Sequence, residues 1–527
     1  MKILHPEQRV PAETAFTMAN LLDQAVLTHP EKDALVYNDQ RITYEQLDRN
    51  INRTANMLLS KGVQPQERVG IISHNRPHYL EAMFACARIN AVVVNINWRL
   101  SPKELYNMLV SNDIRIAFID LRNPEWTATL KELVGTEIEL IGLDMPNGGK
   151  SELSILREQY PDTRPECPVT SEDIFCHIHT SGTTGMPKCA MHSHATMVLQ
   201  TTNMVKLYGL ETGNIFLFTA QMFHVAILGV YAHLLLGNTI ILMEKFDPEA
   251  CLKLVQTERV THLNTIPPVL NWIIQQYKKT PYDTSSLAVV TYSSCIMPKA
   301  VLDEANALLK CGFIGIYGMT ELAGLVTILN QEDHIANNYE HLYSVGRPIP
   351  DCVIKVIGED GRVCAPGEIG EVIVDTPALL KGFYKRPEAM EKAVIDGWLH
   401  TGDMGYLDYA GFLYIQGRKD DMVISGGENI YPKEIEDALM ELEDDISEAA
   451  VFGVPDKRWG EVALGCVVLQ EGSKHTEDTL KTYLRGRIAH FKVPKRIFIV
   501  DEIPHNSVGK VSKKTLEEQY KDEMIKK

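Results

Sequence analysis

One run, His179-Thr180-Ser181-Gly182-Thr183-Thr184-Gly185-Met186-Pro187-Lys188, gathers hydroxyls, two glycines and a lysine in a single short segment. Glycines let backbone N–H groups come close to an anion, and hydroxyls and an ammonium add further donors, so the chemistry such a loop suits is phosphate binding. It is not a Walker loop, because Met186 and Pro187 separate Gly185 from Lys188 and Cys189 follows instead of Ser or Thr. The composition alone leaves a plain Ser/Gly turn equally open.

A second run, Phe313-Ile314-Gly315-Ile316-Tyr317-Gly318-Met319-Thr320-Glu321, delivers a ring, a hydroxyl and a carboxylate at the end of an alternating, strand-like pattern. Ligands of open α/β sheets sit beyond the carboxyl ends of strands. A ring to stack on a base, a hydroxyl for phosphate and a carboxylate for Mg²⁺ would make a nucleotide site. The residues taken alone fit better with a helix start, Thr320 as N-cap and Glu321 in the first turn.

The elements that must position these runs alternate over the first two-thirds of the chain. Helical patterns at 45–60, 77–89 and 103–110 are interleaved with strand-like patterns at 69–72, 92–96, 114–119 and 174–178. Strands recurring between helices predict βαβ units and a largely parallel sheet. After Tyr343 helix signals thin out, and short strands at 353–357, 369–374 and 411–415 predict a small β-rich lobe. The charged run Arg418-Lys419-Asp420-Asp421 marks a further boundary, beyond which helix and strand alternate on a small scale. About a hundred residues suffice there for an independent domain.

Composition narrows the classes. The 527 residues carry 52 Lys+Arg against 69 Asp+Glu, a net charge of −17, which argues against a general nucleic-acid binder. Ten cysteines are scattered with no Cys-x-x-Cys pair, so neither a zinc ribbon nor a dithiol site is indicated. The stretch Thr212–Met243 lacks Asp, Glu, Lys and Arg. Its length would permit a bilayer span, but Gln221, His224, His233 and Gly237-Asn238 interrupt it, so the expectation is a buried helix, a stop, and a buried strand at 239–243. No transmembrane segment is expected, the start lacks the apolar core of a signal peptide, and the end lacks a Ser-Lys-Leu address, so a cytoplasmic protein is expected. The pairs His177-x-His179 and His192-x-His194 each put two imidazoles on one strand face, but no third ligand is suggested by spacing, and metal binding there is disfavoured.

The two runs together, with Trp398-Leu399-His400-Thr401-Gly402-Asp403, Gly417-Arg418-Lys419-Asp420-Asp421-Met422, Ser425-Gly426-Gly427-Glu428-Asn429-Ile430-Tyr431-Pro432, Phe491-Lys492-Val493-Pro494-Lys495 and Asn506-Ser507-Val508-Gly509-Lys510, resemble the adenylate-forming superfamily. That superfamily includes acyl-CoA synthetases, aryl-CoA ligases, luciferase and amino-acid adenylation domains, and the chain looks most like the acyl-CoA synthetases. The resemblance implies an α/β fold. A large N-terminal domain of α/β sheets, residues 1–419 with a small β-barrel lobe at about 343–419, would be hinged to a small α+β C-terminal domain, residues 420–527. It implies an ATP-dependent acid–CoA ligase, using Mg²⁺, that forms an acyl-adenylate and then an acyl-CoA thioester from a fatty or aryl carboxylic acid.

Carried over by position, Thr180, Ser181, Gly182, Thr183, Thr184, Gly185 and Lys188 would hold the β- and γ-phosphates. Tyr317 would stack on the adenine, with Gly318 and Met319 also in the nucleotide site, Thr320 would donate to the α-phosphate and Glu321 would hold Mg²⁺. Asp403 and Arg418 would bind the ribose hydroxyls, and Lys510 would bridge the substrate carboxylate and the α-phosphate. Asp420 matches the hinge about which the C-terminal domain turns after the first step. His224 falls where amino-acid-activating relatives place an aspartate, so an amino acid is not expected, and this histidine would border the carboxylate end of the acyl pocket. Gly426, Gly427, Trp459, Phe491, Lys495 and Arg99 resemble a CoA-binding surface, although Val493 stands where one branch has arginine.

Three departures are notable. His179 replaces the usual aromatic, Cys189 replaces the usual glycine, and Ser293-Ser294-Cys295-Ile296 replaces the usual Gly-Gly-Ala tract that lines the acyl and adenine pockets. Cys189 and Cys295 are therefore both expected to respond to thiol reagents, with protection by ATP plus acid. The alternatives are an acyl-AMP ligase that loads a carrier-protein thiol, a non-catalytic nucleotide-binding homologue and, remotely, a luciferase-like oxidase. A homodimer is left open, as is the identity of the acid.

Overall fold

A computed structural model describes residues 16–143, 149–180, 187–334, 341–425, 428–442, 444–456, 458–470, 472–505 and 510–521. The described chain forms two compact units. The first runs to Val353 and takes in Asp375–Val394; the second comprises Ile354–Val374 and the chain from Ile395 onward.

Local signals start the elements of the first unit. Thr43 accepts a hydrogen bond from the Gln46 N–H while the Gln46 side chain reaches back to Thr43, a capping box that opens the helix Tyr44–Ser60. Pro77 and Pro102 begin the helices Pro77–Arg88 and Pro102–Ser111, where the missing N–H costs nothing.

These helices connect two mainly parallel sheets. One has seven strands, in the order Gly382–Phe383, Cys189–Ser193, Ile174–His179, Val92–Ile96, Arg68–Ile72, Ile116–Ile119 and Glu139–Gly142. Its last five strands pair in parallel, and only Cys189–Ser193, which pairs antiparallel with both Ile174–His179 and Gly382–Phe383, runs the other way near one edge. The other has nine strands, with Asp33–Tyr37, Thr239–Leu242, Ile215–Phe218, His262–Thr265, Val289–Tyr292 and Gly312–Tyr317 in parallel succession. Strands this uniformly apolar belong between covering layers, and Leu217, Leu263, Val290 and Phe313 are all buried in one cluster.

Thr212–Met243 resolves into a strand, Ile215–Phe218, a buried helix, Leu228–Leu235, a left-handed Gly237 (φ 68°) and the strand Thr239–Leu242. Among the described residues no helix is long and apolar enough to cross a membrane.

The second unit holds two five-stranded sheets. One joins Val353–Ile357, Gly370–Asp375, Trp398–Leu407 and Val394–Ile395, with Leu413–Arg418 also on Trp398–Leu407. The other is built on a long antiparallel hairpin, Ile446–Asp456 with Gly460–Leu469, flanked by Val423–Ser425, Glu428–Ile430 and Arg496–Ile499. The strand Ile446–Asp456 has no counterpart in the sequence reading, because Ala449, Ala450, Gly453 and Pro455 dilute its β signal. Its inner face is covered by the helices Pro432–Met440 and Glu477–Arg485 through Ile435, Leu439, Leu480 and Leu484.

Candidate active site

In the first unit the strand Ile174–His179 and the antiparallel strand Cys189–Ser193 form a hairpin, with His179 opposite Cys189. The Thr180 N–H donates to the Lys188 carbonyl at 2.8 Å, which closes the stem of the connecting loop. Ser181, Gly182, Thr183, Thr184 and Gly185 lie outside the described residues. Lys188 is half-buried and sets its Nζ 5.2 Å from the ring centre of Phe383.

The stem explains two of the departures. Asn112, buried at the end of helix Pro102–Ser111, meets His179 Nε2 with its Nδ2 at 3.3 Å. Its Oδ1 accepts from Cys189 Sγ at 3.2 Å and meets His177 Nδ1 at 3.3 Å. His179 Nδ1 lies 3.0 Å from the Asn95 carbonyl. The two same-face imidazoles thus share an amide, and His194 Nδ1 accepts from the Met18 N–H at 3.2 Å. Among the described residues no group of three His, Cys, Asp or Glu side chains is placed to hold a metal.

Burial keeps these histidines neutral. It lowers His177 to about 3 and His179, His192 and His194 each to about 4. Burial likewise pushes the Cys189 thiol well up. The expectation that Cys189 reacts with thiol reagents is therefore corrected, since a buried, protonated thiol is not a nucleophile; Cys295 is exposed.

Strand Gly312–Tyr317 carries the first part of the second run and ends at Tyr317. Thr320–Leu322 is a single 3₁₀ turn with Met319, not Thr320, in the capping place. The Val326 N–H returns to the Tyr317 carbonyl at 3.0 Å, so 317–326 is a closed loop. Gly318 has a packing reason to be glycine, because a Cβ there would stand 1.5 Å from the Gly324 oxygen. The Glu321 carbonyl accepts from the Leu380 N–H at 2.9 Å.

His224 opens the 3₁₀ turn Val225–Ile227 that leads into helix Leu228–Leu235, and Gly324 of the closed loop abuts Val225 and Leu228. Phe223 and His224 are ring neighbours at 4.3 Å. Arg99 lies over Trp98 at 4.5 Å and 5.8 Å from Phe223, and partial burial lowers its pKa. Trp98 in turn stacks on His74 at 3.8 Å and donates to Gln221 Oε1 at 2.9 Å. The fold thus draws Arg99, His224 and the loop of Thr320 and Glu321 toward one region of the first unit. The Ser293–Ile296 tract follows strand Val289–Tyr292, with Ser294 left-handed at φ 75° where glycine would sit without strain.

The second unit holds the remaining candidates. Asp403 and Arg418 are cross-strand partners, and Arg418 Nε meets Asp403 Oδ1 at 2.9 Å. Asp420 is exposed in a tight turn where the Asp421 N–H returns to the Arg418 carbonyl at 3.2 Å. Trp459 is exposed, with Arg458 and Lys495 over its ring at 4.9 and 5.4 Å, and Lys492 lies 5.8 Å from the exposed Phe491 ring. Ser425 pairs with both Glu428 and Gly460, while Gly426 and Gly427 lie outside the described residues. Lys510 is exposed beside the bridge between His505 and Val511. Sequence reasoning missed Asn112, since it lies in no motif and its partners come from segments 65 to 77 residues away.

Residues 22–384 match the family described as AMP-binding enzyme, and 434–510 match the AMP-binding enzyme C-terminal domain. A feruloyl-CoA synthase from Amycolatopsis sp is 36% identical over 488 residues, 92% of this chain and 95% of the relative. An indoleacetate–CoA ligase from Aromatoleum aromaticum is 33% identical over 499 residues, 94% and 96% of the two chains. The o-succinylbenzoate CoA synthetase of Bacillus subtilis, solved with its acyl-adenylate, superimposes with a TM-score of 0.84 at 27% identity, covering 94% of this chain and 98% of that one. The same enzyme solved with ATP and magnesium ion gives a TM-score of 0.83 at 27% identity, covering 94% and 99%. A family match over most of its length, relatives aligned nearly end to end, and a shared fold place the chain in the AMP-binding enzyme family, among the adenylate-forming acid–thiol ligases.

Proposed function

We propose that the chain activates a hydrophobic carboxylic acid with ATP and transfers the acyl group to CoA. The observation that carries this reading is the closed loop 317–326, which presents a tyrosine, a hydroxyl and a carboxylate at the carboxyl end of a parallel strand.

In the first step an oxygen of the acid attacks the α-phosphorus, the bond to the bridging oxygen breaks, and pyrophosphate leaves. In the second, the CoA sulfur attacks the acyl carbon and AMP leaves. Such chemistry asks the protein chiefly for alignment and charge neutralisation. Thr180 and Lys188, with the loop between them, hold the β- and γ-phosphates; Tyr317, Gly318 and Met319 border the adenine; Thr320 donates to the α-phosphate. Asp403 and Arg418 hold the ribose, His224 borders the carboxylate end of the acyl pocket, and Lys510 bridges that carboxylate and the α-phosphate. Glu321 fits Mg²⁺, a cation held by one or two carboxylates together with substrate phosphates, and when bound it would neutralise charge on those phosphates.

After the first step the chain beyond Asp420 turns, withdraws Lys510 and offers Gly426, Gly427, Trp459, Phe491 and Lys495 to CoA, with Arg99 as a phosphate contact. The relatives at 33 and 36% identity are named for aryl acids, so aryl acids head the substrate panel.

The test is acid-dependent pyrophosphate release across aryl, fatty and bile-type acids, with and without CoA. Turnover that requires CoA and peaks on one acid class supports the reading. Release that stops after one equivalent despite CoA would assign the acceptor thiol to another protein.

A further inference from the structure

Gln200 sits in mid-helix in His194–Leu207, the helix that follows directly from the phosphate-loop hairpin, and it is fully buried. Its Nε2 donates to two backbone carbonyls 122 and 125 residues away, Leu322 O and Leu325 O, each at 2.8 Å. Its Oε1 accepts from Asn203 Nδ2 at 3.4 Å. Both carbonyls lie in the closed loop 317–326, one immediately after Glu321 and the other just before the chain returns to the sheet. The Leu380 N–H takes the Glu321 carbonyl.

An amide suits this place because one NH₂ group carries two hydrogens and answers two acceptors at once. Leucine or methionine would fill the space and leave both carbonyls unmet, and a carboxylate would set acceptor against acceptor.

We propose that Gln200 is a positioning residue for Thr320 and Glu321, tying the helix behind the phosphate loop to the turn that carries the α-phosphate and Mg²⁺ contacts. The proposal rests on the reading of Thr320 and Glu321 given above. It says that the helix His194–Leu207 and the loop 317–326 are held in register by this buried amide, and that the second half-reaction does not depend on it.

The test compares Gln200→Met with Glu321→Gln, each assayed for acid-dependent pyrophosphate release against Mg²⁺ concentration and for thioester formation from supplied acyl-AMP. Gln200→Met is expected to lower adenylation kcat about tenfold to a hundredfold and to raise the Mg²⁺ needed for half-maximal rate, with thioester formation within about twofold of the parent. Equal losses in both half-reactions would reduce Gln200 to a structural role and overturn the proposal. An unchanged Mg²⁺ profile in Gln200→Met beside a shifted one in Glu321→Gln would overturn the positioning alone. An unchanged profile in Glu321→Gln would overturn the reading of the turn and the proposal with it. Should Gln200→Met not fold, Asn203→Leu, which removes only the support of Oε1, is expected to lower adenylation in the same direction by about threefold, and parent-like adenylation in that variant would overturn the proposal.

Discussion

Arg418 and Asp403 face each other across two antiparallel strands and are joined by an ion pair of 2.9 Å. Asp403 is buried and Arg418 half-exposed, and Arg418 Nη1 also donates to the Thr401 carbonyl at 2.8 Å. The Asp403 N–H meets Thr401 Oγ1 at 3.0 Å, and that hydroxyl donates to the Val372 carbonyl at 2.7 Å. The Arg418 guanidinium thus holds the carboxylate in one direction, an arrangement that would lower the ordering cost of binding a ribose there under the proposed function.

If this carboxylate takes the ribose hydroxyls, Asp403→Asn should weaken ATP binding. Hydrogen bonds to a charged group contribute about 1.5–3 kcal/mol, or about ten- to a hundredfold in Kd. Calorimetric titration with ATP checks this, and parent-like affinity would remove Asp403 from the site.

Lys510→Ala should abolish acid-dependent pyrophosphate release by at least about a hundredfold while sparing thioester formation from supplied acyl-AMP. A rate measurement on each half-reaction separates the two, and parallel losses would contradict the assignment of Lys510 to the first step alone.

The two departing cysteines should behave oppositely. Cys295 is exposed, whereas Cys189 is buried with its thiol pushed up and donating to Asn112. Alkylation followed by peptide mass mapping should label Cys295 in the native protein and Cys189 only after unfolding, and ATP plus acid should slow labelling of Cys295. Equal rates for the two in the native state would show that the hairpin stem opens.

Acid should destabilise the first unit well above the carboxylate range. His177, His179, His192 and His194 are held by burial at about 3 to 4, below an ordinary value of 6.5. The unfolded chain therefore binds more protons, so the stabilisation is complete above pH 6.5 and is lost as pH falls toward 4. By pH 5 a single such histidine forfeits on the order of 2 kcal/mol of stabilisation. Thermal unfolding in steps from pH 7.5 to 4.5 should show a steep fall in midpoint, and a flat profile would mean these rings are solvated.

Much of the fold was legible because it is written locally. The helical patterns at 45–60, 77–89 and 103–110 and the strand leading into the Thr180–Lys188 run are short-range patterns, and the structure opens those helices with a capping box at Thr43 and Gln46 and with Pro77 and Pro102. The strand Ile446–Asp456 was not, because its alanines and Pro455 look neutral until the hairpin partner Gly460–Leu469 supplies the pairing. The same limit hid Gln200 and Asn112. A buried amide is recognised by the carbonyls and rings it meets, and those come from chain segments 65 to 125 residues away. Cys189 was expected to react because it stands where the resembled loop has glycine, and only its burial against Asn112 reverses that.

The most direct measurement is a single-turnover quench of the protein with ATP, Mg²⁺ and its preferred acid, with mass-spectrometric detection of acyl-AMP, followed by addition of CoA. Acyl-AMP should accumulate to about one per chain and disappear into acyl-CoA when the thiol arrives. Acyl-AMP that persists after CoA is added, or that never forms with any acid although ATP binds, would contradict an acid–CoA ligase.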